Sequence, residues 1–411
     1  MTDPAPPAHV TRRRRSILVT LLGVLVMAAA GLLSIVSFFA LLMIGIPVAL
    51  TLATVGFVFG VMGFGTTLFN LLPARVYGVV ANYQWLAIPL FVFMGMMLEK
   101  SRLADDLLDV VGHLAGNLRG GMALGIIGVG VLMGATTGIV GATVITLGLL
   151  KLPSLLKRGY DPGLACGAIC ASGTLGPIIP PSLILILLAD ILQLSVGTLF
   201  VAAVMPGLLL AALYCTYIVI LGMVKPDLVP PIPQEERDAL AKRDLWIRFV
   251  KVVVPPVLLV MAVLGSIIVT AFAGRMSLKV LREVVQSVTT ITAMMMLILI
   301  RAQVFSLSFR GLHGEDLIAK MFEWLPGRVN ADIWFLMLLV FVLGFFLEWI
   351  EISYIAVPLF LPVFVSQNVD LVWLAILICV NLQSSFLTPP FGWALFFLKG
   401  VAPPQISTRH I

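Results

Sequence analysis

Apolar runs alternate with short polar connectors along the whole chain. Roughly ten of these runs approach the length of about 20 residues at which a helix crosses a bilayer. The first, 17–65, is interrupted at Gly45–Pro47, and a polar connector over 66–84 leads to an apolar stretch over 85–98. Residues 99–119 read as an amphipathic interfacial helix, with Leu103, Leu107, Val110, Val111 and Leu114 at helical spacing and the charges between them. Residues 120–150 carry no charge but are broken at Gly134, Gly138 and Gly141, and 151–163 read as a polar tip. A span over 198–224 precedes a Pro- and charge-rich linker over 225–251. Then come a span over 252–272, a basic connector over 274–282 and a span near 286–309. Polar residues 310–332 and apolar runs over 333–365 and 371–398 complete the pattern.

The apolar run over 162–190 contains "GTLGPIIPPSLILILL", with Gly173, Gly176, Pro177, Pro180 and Pro181 close together. Proline removes a backbone donor and disrupts the preceding turn, and glycine adds conformational freedom. Two half-helices joined by non-helical backbone are therefore expected. At membrane depth such backbone is tolerated where it is buried in protein or lines a wet cavity. Its free carbonyls suit a cation, and the N-terminus of the second half-helix suits an anion. The alternative is a pair of kinked, packed helices.

A second stretch, "NLQSSFLTPPFGWALF", repeats the arrangement at 381–396. Pro180–Pro181 matches Pro389–Pro390 at an offset of 209, and Gly134 matches Gly344 and Asp106 matches Asp316 at 210. The order of features is also shared, which is the pattern of a secondary transporter built from two structural repeats. The expected fold is an all-α polytopic membrane protein. Its organisation reads as a basic cytoplasmic tail over 1–16, N-terminal membrane segments over 17–98, a first repeat over 99–224, a linker over 225–251, a connecting span and loop over 252–285, and a second repeat over 286–411.

Oxygen ligands for a sodium ion stand at both breaks: Ser172 and Thr174 in one, Asn381, Ser385 and Thr388 in the other. Gly173, Gly176, Gln383 and Ser384 accompany them. The run "GATTGIVGATV" reads as a packing face, or as the tip of a re-entrant hairpin presenting Thr136, Thr137 and Gly138. Its counterpart carries Glu348 and Glu351 one helical turn apart. Carboxylates inside a membrane segment are functional candidates by default: ion ligands, proton carriers or hairpin anchors. Facing water at the hairpin mouth is the alternative.

Composition supports the membrane reading: 60% of residues are hydrophobic and 11% charged, against about a quarter charged in soluble domains. Mean hydropathy is +1.11. The net charge of +6 reads as loop asymmetry rather than a nucleic-acid surface. Arg12–Arg15 ahead of the first apolar run place the N-terminus in the cytoplasm. A secretory leader also begins this way, but no small-residue cleavage site closes a short apolar core, so a retained membrane segment is expected. The four cysteines lie in apolar runs and read as packing residues, and the four histidines lie in tails or connectors. Neither a His-based metal site nor a Ser-His-Asp triad is expected. Phosphate-loop and dinucleotide-binding motifs are absent.

The segments "IPLFVFMGMMLEKS", "TGIVGATV", "KRGYDPGLACG", "ASGTLGPIIPPS" and "NLQSSFLTPPFGWALFFLKGVAPP" closely resemble the large membrane subunit of tripartite ATP-independent periplasmic (TRAP) transporters, from about residue 40 to the C-terminus. The resemblance implies an elevator-type importer of the bacterial inner membrane, with two re-entrant hairpins and two broken helices around a central site. It implies a small membrane subunit and a soluble periplasmic binding protein as partners. It also implies an organic acid, commonly a carboxylate, as substrate, sodium as the coupling ion, and no other cofactor. Carried over by motif, the hairpin tips fall at Thr136–Gly138 and around Glu348–Glu351. The ion-binding breaks fall at Ser172–Gly176 and Asn381–Thr388. The helix starts after Pro180–Pro181 and Pro389–Pro390, at Ser182 and Gly392, would then face a bound carboxylate.

Two departures stand out. The family's Ala-Thr-Pro-Thr-Glu-like stretch has no counterpart near 268, and by the internal repeat "LSVGTLFVAAVMPGLLLAALYC" should have a partner beyond residue 411. Three competing readings follow from the residues. They are a carboxylate carrier working without a binding protein, an intramembrane enzyme using Glu348 and Glu351 as an acid pair, and a non-transporting remnant that packs against partner subunits.

Overall fold

The computed structural model describes residues 26–27, 29–100, 118–137, 140–231, 267, 270–271, 276–323, 328–389 and 392–411. Among them all regular structure is helical. The basic tail, nearly all of the interfacial helix, most of the linker and of the span after it, and Gly138 and Pro390 lie outside the described residues. Four described helices are apolar and at least 18 residues long, and six apolar ones are shorter.

One compact unit draws on residues 1–82, 295–335 and 354–367. It contains α1 (Ala29–Met43), α2 (Val48–Phe64) and α3 (Thr67–Val80). It also holds the second part of α10 (Leu278–Gly311), α11 (Gly314–Glu323), the start of α12 (Arg328–Leu343) and most of α13 (Trp349–Ser366). Ser308 on α10 donates its hydroxyl to the Gly56 carbonyl on α2. Phe322 gathers Phe335, Phe360 and Phe364 edge-on around it. The segment expected as a polar connector over 66–84 is largely α3: Leu68, Phe69, Leu71 and Leu72 outweigh Asn70, Pro73 and Arg75 in "TLFNLLPARVYGVV".

The other unit comprises 83–294, 336–353 and 368–411. It holds α4 (Ala87–Lys100), α5 (Gly121–Thr137), α6 (Val140–Lys157), α7 (Pro162–Thr174), α8 (Leu183–Ile191) and α9 (Val196–Val224). The N-terminal part of α10, the tip between α12 and α13, α14 (Leu371–Leu387) and α15 (Trp393–Val401) complete it. The expected polar tip over 151–163 shrinks to 158–161. Lys151–Lys157 stay helical because Leu152 and Leu155 are fully buried and hold the turn in place despite Pro153. The basic connector is likewise shorter than expected, since α10 begins at Leu278.

The order α5–α6–α7–α8 recurs as α12–α13–α14–α15. Each set is a helical hairpin followed by a helix broken in two. Asp161 caps α7 by accepting the Leu164 N–H, and Asp370 caps α14 by accepting the Val372 and Trp373 N–H groups. These caps sit 209 residues apart, the offset of the proline pairs.

Candidate functional site: two paired helix breaks

Both breaks form as the prolines demand. The first half-helix ends at Thr174, and the second starts at Leu183 after a stretch of turns. Residues 172–179 are all buried, and Pro180–Pro181 is a cis peptide. Ser182 caps α8: its hydroxyl donates to the Pro177 carbonyl and accepts the Leu185 N–H. In the second repeat α14 runs one turn further, to Leu387, before α15 restarts behind Gly392, whose φ is 43°. This break is more open, with Ser384 and Pro389 exposed and Thr388 half-buried.

The hydroxyls share one geometry. Ser172 donates to the Ile169 carbonyl at 2.8 Å and Thr174 to Ala171 at 2.9 Å. Ser384 donates to Asn381 at 2.6 Å, Ser385 to Leu382 at 2.8 Å and Thr388 to Ser384 at 2.6 Å. Each proton is therefore committed to a helix carbonyl, and only oxygen lone pairs remain available. Such a set can accept but has nothing to donate, which suits a hard cation.

The first arm of each hairpin presses a glycine onto a serine at the break. A β-carbon on Gly130 of α5 would lie 2.4 Å from Ser172 Cβ, and one on Gly344 would lie 2.2 Å from Ser385 Cβ. Ser172 and Ser385 are thereby locked at 0% and 1% exposure. Asn381 is tied down as well, since its amide donates to the Met337 carbonyl on α12 at 2.6 Å. The repeats also cross: the Cys170 thiol points at the Ala394 carbonyl at 3.6 Å. Tyr214 of α9 brings its hydroxyl toward Thr174. Gly130, Ala394 and Tyr214 were not singled out in the sequence, and Cys170 only as a packing residue. The only local signal among them is the Gly130–Gly134 spacing of a small-residue packing motif.

Gln383 stands apart. It is 2% exposed, and neither its amide nitrogen nor its amide oxygen has a hydrogen-bond partner. Burying an unpaired amide costs about 1–3 kcal/mol, so the site holds both a donor and an acceptor in reserve.

The family described as the tripartite ATP-independent periplasmic transporter, DctM component, matches residues 35–411. The chain belongs to this family. As a TRAP large permease it is a multi-pass inner-membrane transport subunit and not an enzyme. It is 29% identical over 346 residues to the C4-dicarboxylate large permease protein DctM of Pseudomonas aeruginosa, covering 80% of each chain. It is 28% identical over 384 residues to the ectoine large permease protein TeaC of Halomonas elongata, covering 87% of this chain and 86% of that one. It is 24% identical over 397 residues to the sialic acid large permease protein SiaM of Vibrio cholerae, covering 92% of each. TRAP large permeases work with a small permease and a periplasmic binding protein.

The remaining candidates divide by what they touch. Thr136 and Thr137 close α5. Glu351, 7% exposed, accepts the Glu348 N–H through Oε2 at 3.1 Å. A glutamate three residues into a helix bonding back to the capping residue is half of a capping box. Glu351 is thus an anchor of the second hairpin tip. Glu351→Ala is expected to cost about 1 kcal/mol, read as a lower unfolding temperature in detergent. Glu351→Gln, which can still accept the bond, should stay near the wild type. Equal losses in both variants would point to a role for the charge rather than the cap.

Proposed function

We propose that this permease imports an organic acid, most simply a carboxylate, received from a periplasmic binding protein, and that an inward sodium gradient drives the step. A small membrane subunit completes the transporter, and elevator-type movement of re-entrant hairpins carries the site across the membrane. The observation that carries the sodium reading is the set of five hydroxyls at the two breaks whose protons are all committed. Thr136, Thr137 and Gly138 at the first hairpin tip, with Gly173 and Gly176, complete the proposed ion-binding segments. Substrate contacts are assigned to Gln383 and to the helix starts behind Pro180, Pro181 and Ser182 and behind Pro389, Pro390 and Gly392.

Neither 172–182 nor 381–392 contains a lysine, arginine or histidine. A carboxylate entering between them meets no basic side chain from the breaks. Bound cations would supply the countercharge, and substrate and ion affinities then rise together, as reciprocal coupling requires. Of the compounds named for relatives, C4-dicarboxylates, sialic acid and ectoine carry a carboxyl group and isethionate a sulfonate, which supports an organic acid as the substrate class.

The test is thermal unfolding of the detergent-purified chain in NaCl against matched KCl and choline chloride. A ligand that binds only the folded state stabilises it by roughly 2.7 kcal/mol at a hundredfold excess over Kd. A sodium-specific rise is expected, reduced by more than half in Ser385→Ala or Thr388→Ala without loss of membrane insertion. An undiminished rise in both variants would overturn the assignment.

A further inference from the structure

The open ends of the two hairpins are bridged at repeat-equivalent positions. In the first, Arg158 Nη1, just after α6, lies 2.7 Å from Met122 Sδ near the start of α5. In the second, Gln367 Nε2, just after α13, donates to Asp332 Oδ2 near the start of α12 at 2.6 Å. Met122 and Asp332 are 210 residues apart and Arg158 and Gln367 are 209, the offsets of the repeat. The first bridge contains a cation, the guanidinium. The second contains a carboxylate and an amide.

The second bridge is also incomplete. Asp332 is 2% exposed, and its Oδ1 has no hydrogen-bond partner. Gln367 Oε1 is likewise buried without one. Phe335 and Phe364, one turn inward from Asp332 and Gln367 respectively, pack against Phe322. Two buried oxygens of one hydrogen-bonded pair, a carboxylate's and an amide's, with no donor for either among the described residues, are costly. A cation satisfies both at once.

We propose that Asp332 and Gln367 form a site for a hard monovalent cation, sodium in the cell, at the open end of the second hairpin. The ligands are one carboxylate oxygen and one amide carbonyl oxygen, all hard, and the net charge of the side-chain set is −1, matching one monovalent ion. The ion does there what Arg158 does in the first hairpin: it ties the two arms together. The site shares no residue with the helix breaks and does not depend on how the permease couples transport.

The test is equilibrium binding of radioactive sodium to the purified full-length chain, alongside thermal unfolding in NaCl, KCl and choline chloride. Asp332→Asn is expected to bind one sodium fewer than the wild type, and Ser385→Ala to keep that ion. In Gln367→Glu, which places a second carboxylate across the opening, calcium should raise the unfolding temperature where it does not in the wild type. This gain keeps the proposal falsifiable if Asp332→Asn folds poorly. Unchanged sodium stoichiometry in Asp332→Asn, or no calcium response in Gln367→Glu, would overturn it.

Discussion

Gly130→Val is expected to lower the unfolding temperature by several degrees and to abolish uptake in cells carrying the complete transporter. A β-carbon at 130 would fall 2.4 Å from Ser172 Cβ, 2.7 Å from the Ser172 carbonyl oxygen and 2.9 Å from its carbon. Two of these atoms are backbone, so no rotamer change relieves the clash and α5 must back away from α7. Overpacking of this kind costs about 1–3 kcal/mol, occasionally more. Here the backbone has to move, which puts the cost at the upper end. The clash falls on Ser172, two residues before the end of α7, so the site is disturbed with it. Gly167→Ala, where an added β-carbon meets nothing within 4 Å, is the control and should be neutral or slightly stabilising in its helix. Wild-type melting and uptake in Gly130→Val would mean that α5 and α7 do not meet at this point.

Gln383→Leu is expected to separate stability from transport. Leucine removes two buried polar atoms that have no partners and fills a similar space. The apo protein should therefore hold its stability or gain up to about 1–3 kcal/mol, the cost of the unpaired amide. Uptake should fall by an order of magnitude or more, because the group held in reserve for the substrate is gone. Functional sites are where a fold tolerates such local cost. Melting in detergent and uptake by the assembled transporter measure the two effects independently. Gln383→Leu that is both less stable and fully active would make Gln383 a packing residue.

The breaks were legible because their cause is local: the prolines and glycines that interrupt α7–α8 and α14–α15 stand inside otherwise apolar runs. Asp161 and Asp370 begin their helices in the same register as the proline pairs, so the repeat seen in the sequence recurs in the helix starts. Other features were not legible. Gly130 sits in a run that the helix passes through unbroken, and only its distance from Ser172 gives it meaning. The α3 segment looked like a connector because Asn70, Pro73 and Arg75 punctuate it, although its apolar residues suffice for a helix. Lys151 and Lys157 concealed the end of α6 in the same way. Glu351 had several readings in the sequence, as ion ligand, proton carrier, hairpin anchor or water-facing residue, and its burial with the backbone N–H it accepts favours the anchor. Gln383 was visible as a polar residue near a break; that it lacks a partner was not.

The two halves of the second unit are interlocked rather than laid side by side. α6, from the first repeat, packs on α15, from the second, where Gly141 meets the Phe397 ring and Gly148 meets Leu398 and Val401. Cys170 reaches across to Ala394 in the same region. A chain bearing one repeat alone would leave those faces bare. The first repeat thus lends its hairpin arm to the broken helix of the second. The two breaks are nevertheless not copies of each other: residues 172–179 of one are buried, while the other is more polar and more open.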